Sequence, residues 1–375
     1  MSYRDLFDAS VSGGRIAAWR AKGGKAVGTV CCHVPNEILW AAGVLPVRLR
    51  ATGCTDSSDA EAWMSSFSCS YARSVLEYLM NGTYRLDGLV QSDGCMMATR
   101  ILDNWSHVAK KNGTPQFTYQ IDAPRITNET TVEFYKEELQ GLADALGEFS
   151  GQKVTDERLC AAVSKYNEIR MLIAEVNELR LAEKPVISGA EALALMIRSA
   201  DMTPDEYIEE LNAFLADAEN RTPLESRARL MVIGSALDNP EYLKVIEDKG
   251  GLIVAEDLCF GTRNFGEPIK LDRSDPLGSI AKYYLGRNTC PRALDNRPAL
   301  HREIVEKAKT YGVQGVVYQK MQNCECWGGE NTFLEPMLKE AEIPLLYLER
   351  EEKLANLGQL EIRAEAFVEM IEKED

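Results

Sequence analysis

Histidine is scarce in this chain: His33, His107 and His301 are the only three in 375 residues. A serine triad or a His-rich zinc site has little to draw on. No G-x-S-x-G occurs, no G-x-G-x-x-G follows the first expected strand, and there is no G-x-x-x-x-G-K-[ST]. Those absences set aside hydrolase chemistry on a nucleophile elbow, the usual dinucleotide fold and P-loop hydrolysis by this chain. No Lys/Arg run occurs, and 42 basic against 58 acidic residues give a net charge of −16. Such a chain repels a phosphate backbone, so no nucleic-acid partner is expected. No run of 18 apolar residues is present, so no membrane span is expected. The N-terminus is charged at once and has no signal-peptide core, so a cytoplasmic location is expected.

What is present is ordinary globular composition, 45% hydrophobic and 27% charged. The length suits two or three domains. The unusual feature is ten cysteines. Disulfides are not expected in a large cytosolic chain. Free cysteines often serve as small buried hydrophobes, and roughly half are assigned that role by default. The rest are candidates for metal or catalysis.

Short β-rich runs alternate with helical stretches at both ends of the sequence. Strands are expected at 25–33, 45–52, 86–92 and 116–122, with helices at 35–43 and 67–80. From about 131 to 218 the pattern is helical, with long amphipathic runs at 133–149 and 156–182. Alternation resumes with strands at 229–235, 252–256, 315–321 and 344–349. Helices are expected at 240–249, 297–311 and 359–372. The expected class is α/β: two Rossmann-like parallel-sheet domains, 1–130 and 226–375, joined by a largely helical segment, 131–225.

Open parallel sheets bind ligands at the carboxyl ends of their strands. Cys95 lies just past the strand at 86–92, and Cys324 just past the strand at 315–321. Two thiols at strand ends in different units can face one cleft. Cys69, near a helix start where the dipole favours thiolate, supplies a third. Three soft thiolates from separate segments suit an iron–sulfur cluster or a Cys-rich zinc site, and without a C-x-x-C pair the spacing does not choose between them. The plain alternative for the stretch from Cys324 to Glu330 is a tight glycine turn after a buried strand. His33, at the end of the first strand, is a weaker ligand candidate. His301, in a charged helix, is expected at the surface.

The chain resembles the 2-hydroxyacyl-CoA dehydratase family, which includes subunits of ATP-dependent benzoyl-CoA reductase. The resemblance starts at Val34-Pro35-Asn36-Glu37-Ile38 and at Ala41-Ala42-Gly43-Val44-Leu45-Pro46-Val47. It continues through Phe67-Ser68-Cys69, Leu86-Asp87-Gly88-Leu89, Cys95 and Tyr166-Asn167-Glu168-Ile169-Arg170. In the second half it rests on Asp257-Leu258-Cys259, Arg263, Cys290-Pro291-Arg292, Gly315-Val316-Val317 and Cys324 with Trp327-Gly328-Gly329-Glu330. It ends on Ile343-Pro344, the run 348–351, and Gly358-Gln359-Leu360 with Arg363.

That resemblance implies a 4Fe-4S cluster held by Cys69, Cys95 and Cys324, with one iron open. Cys324 is preferred to Cys326 because it stands three residues before Trp327. Asn323, Glu325 and Cys326 depart from the family's pattern there. Cys259 and Cys290 match positions that are not ligands and are read as structural. The resemblance also implies an acyl-CoA substrate, a homologous partner subunit in a heterodimer or homodimer, and an ATP-dependent iron–sulfur activator. The implied reaction removes water from an (R)-2-hydroxyacyl-CoA through a ketyl radical and is redox-neutral overall. Glu330, His33 and Arg263 are weak substrate or supporting candidates. Arg48 and Arg50 are possible partners for a CoA tail, or residues of an exposed edge. The competing expectations are a benzoyl-CoA reductase-type subunit, a non-catalytic 4Fe-4S electron-transfer protein and a zinc-stabilised structural protein.

Overall fold

A computed structural model describes residues 6, 7, 11, 14–114, 116–287, 290–295, 297–354 and 357–374. The charged N-terminal pentapeptide lies outside them. Four strands form the first sheet: β1 (Lys25–Thr29), β2 (Val44–Arg48), β3 (Gly88–Ser92) and β4 (Phe117–Ile121). Four form the second: β5 (Ala228–Gly234), β6 (Gly251–Asp257), β7 (Gly315–Met321) and β8 (Leu345–Arg350). Every pairing is parallel, and the orders are β2-β1-β3-β4 and β6-β5-β7-β8. The fold is α/β, and both sheets share one topology. In each, the chain steps to one side of the first strand and then crosses to the other. That reversal opens a crevice at the carboxyl ends, between β1 and β3 and between β5 and β7.

Burial explains why these segments became strands. Every residue of β2, β3 and β6 is buried, as strands covered on both faces require, so they read as continuous apolar runs. The edges β4 and β8 are more exposed. The opposite edges, β2 and β6, turn inward with the helix Gly189–Arg198 between them. Beyond that helix, Ala200 O accepts the Arg48 N–H at 2.7 Å. A Cβ on Gly189 would stand 2.5 Å from Ile253 of β6, so glycine is required for that approach.

The long helix Asp156–Leu181 ties the halves together through two buried ion pairs. Arg170 bonds the Glu37 carboxylate in the first half, and Arg180 stands 3.9 Å from Glu256 in the second. Glu37 also accepts from Tyr284 Oη at 2.8 Å. One hydrophobic core contains Val47 and Leu89 together with Val232 and Val317, so it passes through both sheets. The strand-end loops meet directly: Thr52 N donates to Asp238 at 3.1 Å, and Tyr71 N lies 3.3 Å from Met321 Sδ. Both sets of carboxyl ends thus face one cleft.

All eight expected strands are present, with ends shifted by up to a few residues. The first expected helix shortens to Asn36–Ala41. Several helices escaped the sequence reading, among them Gly14–Ala21, Thr262–Phe265, Pro276–Gly286 and Asn331–Glu340. His301 is corrected: it is 3% exposed, because Leu300, Ile304, Val305 and Ala308 of its charged helix form a buried stripe. Among the described residues, no helix is long and apolar enough to cross a membrane.

Candidate functional site

Eight of the ten cysteines collect at the shared cleft. Cys69 caps the helix Ser70–Met80 and Cys95 caps the helix Met96–Lys111; both take extended backbone as N-cap residues. The Cys95 thiol accepts the Ala98 N–H at 3.4 Å. Cys324 leaves β7 through a tight turn, its N–H donating to Met321 O at 2.9 Å. Asn323 turns the chain there with φ of 60°, a left-handed conformation that asparagine tolerates better than most residues. The loop then crosses the cleft. The Glu325 carboxylate reaches 3.4 Å from the amide of Met96, at the positive end of the Cys95 helix.

The thiols act on one another. Burial pushes the Cys69 thiol up, and Cys95 and Cys324 add to the effect. Burial also raises Cys324. Cys95 is lowered to about 7, chiefly through the thiol of Cys326, with the Ala98 and Met97 amides helping. Cys326 interacts with both Cys95 and Cys290 and is pushed up by them. Cys290 is lowered by the same contact. The structure therefore brings Cys69, Cys95 and Cys324 together and seats Cys326 and Cys290 beside them. Cys31, Cys32 and Cys259 extend the group along the ends of β1 and β6. A Cβ on Gly94 would lie 3.0 Å from Cys31 Sγ.

Sequence reasoning passed over Cys31 and Cys32, although they follow β1 as Cys95 follows β3. The expected strand 25–33 runs through them, whereas β1 ends at Thr29. Among the described residues, no group of three or more His, Cys, Asp or Glu side chains is arranged to hold a metal ion.

The surroundings carry positive charge. Arg263 and Arg292 are buried, as is Arg48, and Arg287 is half-buried. Arg263 pairs with Asp257 at 3.2 Å and lies 4.7 Å from the Trp327 ring centroid. Arg292 donates to the carbonyls of Asp93 at 3.0 Å and Ala123 at 2.6 Å, fastening the Cys290 loop over the first sheet. Arg287 reaches Cys32 O. Of these four guanidiniums, Arg263 alone has a carboxylate partner among the described residues.

The remaining candidates fall differently. His33 is 3% exposed, its carbonyl held by Tyr135 Oη at 2.9 Å and its imidazole pKa lowered to about 3, chiefly by burial. Glu330 caps the helix Asn331–Glu340, but its carboxylate is taken by His301 at 2.8 Å and Arg297 at 3.1 Å. Arg263 is committed to its buried ion pair with Asp257. Arg48 and Arg50 are 9% and 8% exposed and lie on no open edge, so neither meets a CoA phosphate at the surface. A separate groove of about 650 Å³ opens beside the first turn of the Cys69 helix, lined by Ser70, Ser74, Tyr242, Gln322, Lys353 and Arg363. That volume lies in the usual range for small-molecule sites.

Known proteins are similar in sequence to this chain over nearly its whole length. It is 26% identical over 371 residues to the beta subunit of (R)-2-hydroxyglutaryl-CoA dehydratase from Acidaminococcus fermentans, covering 95% of each chain. It is 24% identical over 352 residues to the (R)-phenyllactyl-CoA dehydratase beta subunit of Clostridium sporogenes, covering 93% of this chain and 92% of the other. It is 24% identical over 355 residues to a subunit of benzoyl-CoA reductase from Thauera aromatica, covering 92% of this chain and 91% of the other. Residues 31–371 match the family described as 2-hydroxyglutaryl-CoA dehydratase, D-component, and the chain belongs to that family.

Proposed function

We propose that this chain is the iron–sulfur subunit of a 2-hydroxyacyl-CoA dehydratase, paired with a homologous subunit and served by an ATP-dependent activator. The reaction would remove water from an (R)-2-hydroxyacyl-CoA through a ketyl radical of the thioester, with no net electron consumed. The observation that carries this reading is the meeting of the three segments that bear Cys69, Cys95 and Cys324: Tyr71 N lies 3.3 Å from Met321 Sδ, and the Glu325 carboxylate 3.4 Å from the Met96 amide. The donor set suits a cluster on chemical grounds. It is all thiol, and one member, Cys95, is already lowered at its helix N-terminus, with the Ala98 and Met97 amides helping. The three would each bind a different iron, so they need not close on a single ion. Bare thiolates this buried would repel one another, and the surrounding guanidiniums offset such charge.

When bound, a 4Fe-4S cluster on three thiolates supplies one-electron transfer and an open iron able to act as a Lewis acid. The chain's own residues hold and shield. Trp327 at 3% exposure, stacked beneath Arg263, keeps water from the floor behind Cys324. Arg292 and Arg287 clamp the loops that carry Cys290 and Cys32. The groove beside Cys69 is the proposed entry for acyl-CoA; its wall is mixed in charge, with Arg73, Lys353 and Arg363 to meet phosphate and Glu61, Glu349 and Glu351 among them. The partner subunit is inferred from relatives that are themselves beta subunits.

The test is anaerobic purification with iron and acid-labile sulfide analysis and EPR of the reduced protein. About four irons and four sulfides per chain are expected. Zinc, or no metal in a folded anaerobic sample, overturns the reading. The Thauera relative favours one second reading, reductive dearomatisation of an aromatic acyl-CoA. Electron balance separates the two: the reductase consumes reductant at each turnover, and the dehydratase does not.

A further inference from the structure

The same region holds a small, partly open pocket that none of this chemistry uses. It lies beneath the ends of β1 and β2, walled by Cys31, Cys32, Arg48, Arg170, Tyr207 and Tyr284, with a volume of about 40 Å³. A single buried water needs about 10–15 Å³ of probe volume, so the space suits a group of a few heavy atoms.

Two guanidiniums enter its wall, and they differ. Arg170 is fully engaged, with Glu37, Phe265 O, Tyr283 Oη and Asn167 as partners. Arg48 is 9% exposed, and its Nε and Nη1 are buried with no hydrogen-bond partner. The thiols of Cys259, Cys32 and Cys31 and the Tyr71 hydroxyl favour its charge, and the Phe260 ring lies 4.9 Å from the guanidinium carbon, but none of them takes the Nε or Nη1 hydrogens. A ring covers a face of the guanidinium and accepts none of its in-plane N–H groups. No Asp or Glu lines the space. Buried N–H donors left unpaired are costly, and a native fold that keeps them commonly supplies an acceptor.

We propose that this cavity is a carboxylate site with Arg48 as its anchor. The guanidinium offers planar, paired N–H donors that match a carboxylate's two oxygens. The inner space is small enough for the carboxylate, and the pocket is partly open, so a chain can follow behind it. Such a group has two sources: a free acid of one or two carbons, or the far end of a dicarboxylic acyl chain. The second source rests on the acyl-CoA reading above; the first does not.

The test uses the anaerobic full-length protein at constant ionic strength. Thermal unfolding is followed with formate, acetate and chloride. Isothermal titration is run with glutaryl-CoA and with pentanoyl-CoA, which has the same chain length and no distal carboxylate. The variants are Arg48→Met and Arg48→Lys. Formate or acetate should raise the wild-type Tm saturably where chloride does not. Arg48→Met should abolish that response while still unfolding cooperatively, which shows that the variant folds. Arg48→Lys should retain a weaker response. At least tenfold tighter binding of glutaryl-CoA than pentanoyl-CoA, lost in Arg48→Met, assigns the site to the acyl chain. Equal binding of the two thioesters, with the formate response intact, assigns it to a free acid. If neither thioester binds and the formate response persists, the acyl-CoA reading fails and the carboxylate site stands. A wild-type protein indifferent to formate and acetate, with equal affinity for the two thioesters, overturns the proposal.

Discussion

Cys69 and Cys95 occupy the same position in their respective helices: each is the N-cap residue, with its thiol at the positive end of the dipole. Neither follows the usual preference, since serine, threonine, aspartate and asparagine dominate that position. Replacing either with serine should preserve or improve the cap and leave folding intact. Iron and sulfide content of the anaerobic protein should nonetheless fall by more than half in Cys69→Ser, Cys95→Ser and Cys324→Ser. Cys326→Ser decides the remaining ambiguity. If Cys324 is the third ligand, Cys326→Ser retains its iron; the reverse result exchanges their roles.

Glu37 and Arg170 are predicted to matter for stability and not for metal. The pair is almost wholly buried, at 0% and 4% exposure. Glu37→Gln leaves a guanidinium short of its charge partner and should lower unfolding free energy by about 3–5 kcal/mol. The double change Glu37→Gln with Arg170→Met should recover part of that loss. Urea denaturation of the apo protein measures both. Additive losses would show that the two residues do not act as a pair.

His33 sets a pH dependence. Its folded pKa is about 3, while an unfolded histidine titrates near 6.5. Between those values the unfolded chain binds a proton that the native protein excludes, so stability falls as pH drops from about 6.5 toward 3, by up to about 1.4 kcal/mol per pH unit. A His33→Gln variant should lose that component of the slope. Equal slopes in wild type and variant across this window would contradict the assignment.

Asn323 governs where Cys324 points. Its φ of 60° suits glycine and asparagine. Asn323→Gly should leave stability and iron content near wild type. Asn323→Val should cost about 1–2 kcal/mol and lower iron content as well, because the strained turn relaxes and moves the thiol. Thermal unfolding and iron analysis read the two effects separately.

Glu330 offers a check on a candidate that the fold reassigns. Its carboxylate joins His301 and Arg297 across two helices. Glu330→Gln should lower Tm while leaving acyl-CoA affinity unchanged. A loss of affinity without a loss of Tm would restore it as a substrate residue.

The strands were legible because parallel strands covered on both faces are apolar throughout, as in Leu230–Ile233. Cys95 and Cys324 were legible for the same reason: once the strands are placed, their carboxyl ends are placed. What escaped was whatever lacked period or length. Thr262–Phe265 is a single turn and has no repeat to detect. His301 sits among Arg302, Glu303 and Glu306, whose charges mask the buried stripe of Leu300 and Ile304. Arg48 and Arg50 alternate with Val47 and Leu49 as an exposed edge would. Their burial comes from the helical segment and the second sheet closing over that edge, which is a tertiary event with no local signature. The partnership of Glu37 with Arg170, 133 residues apart, is of the same kind.

The matching strand orders bear on how the molecule assembles. Each sheet closes from its own stretch of chain, 25–121 or 228–350, and its strand pairings need nothing from the other. Either half can therefore nucleate separately, while the thiol cleft comes into being only when the halves dock. The cleft is then the last part to form and the first to open. Hydrogen exchange at Cys95–Ala98 and at Cys324–Trp327 should report an opening of lower free energy than exchange in β1 or β5. Such an opening would give a bulky inorganic group a way in without unfolding either sheet.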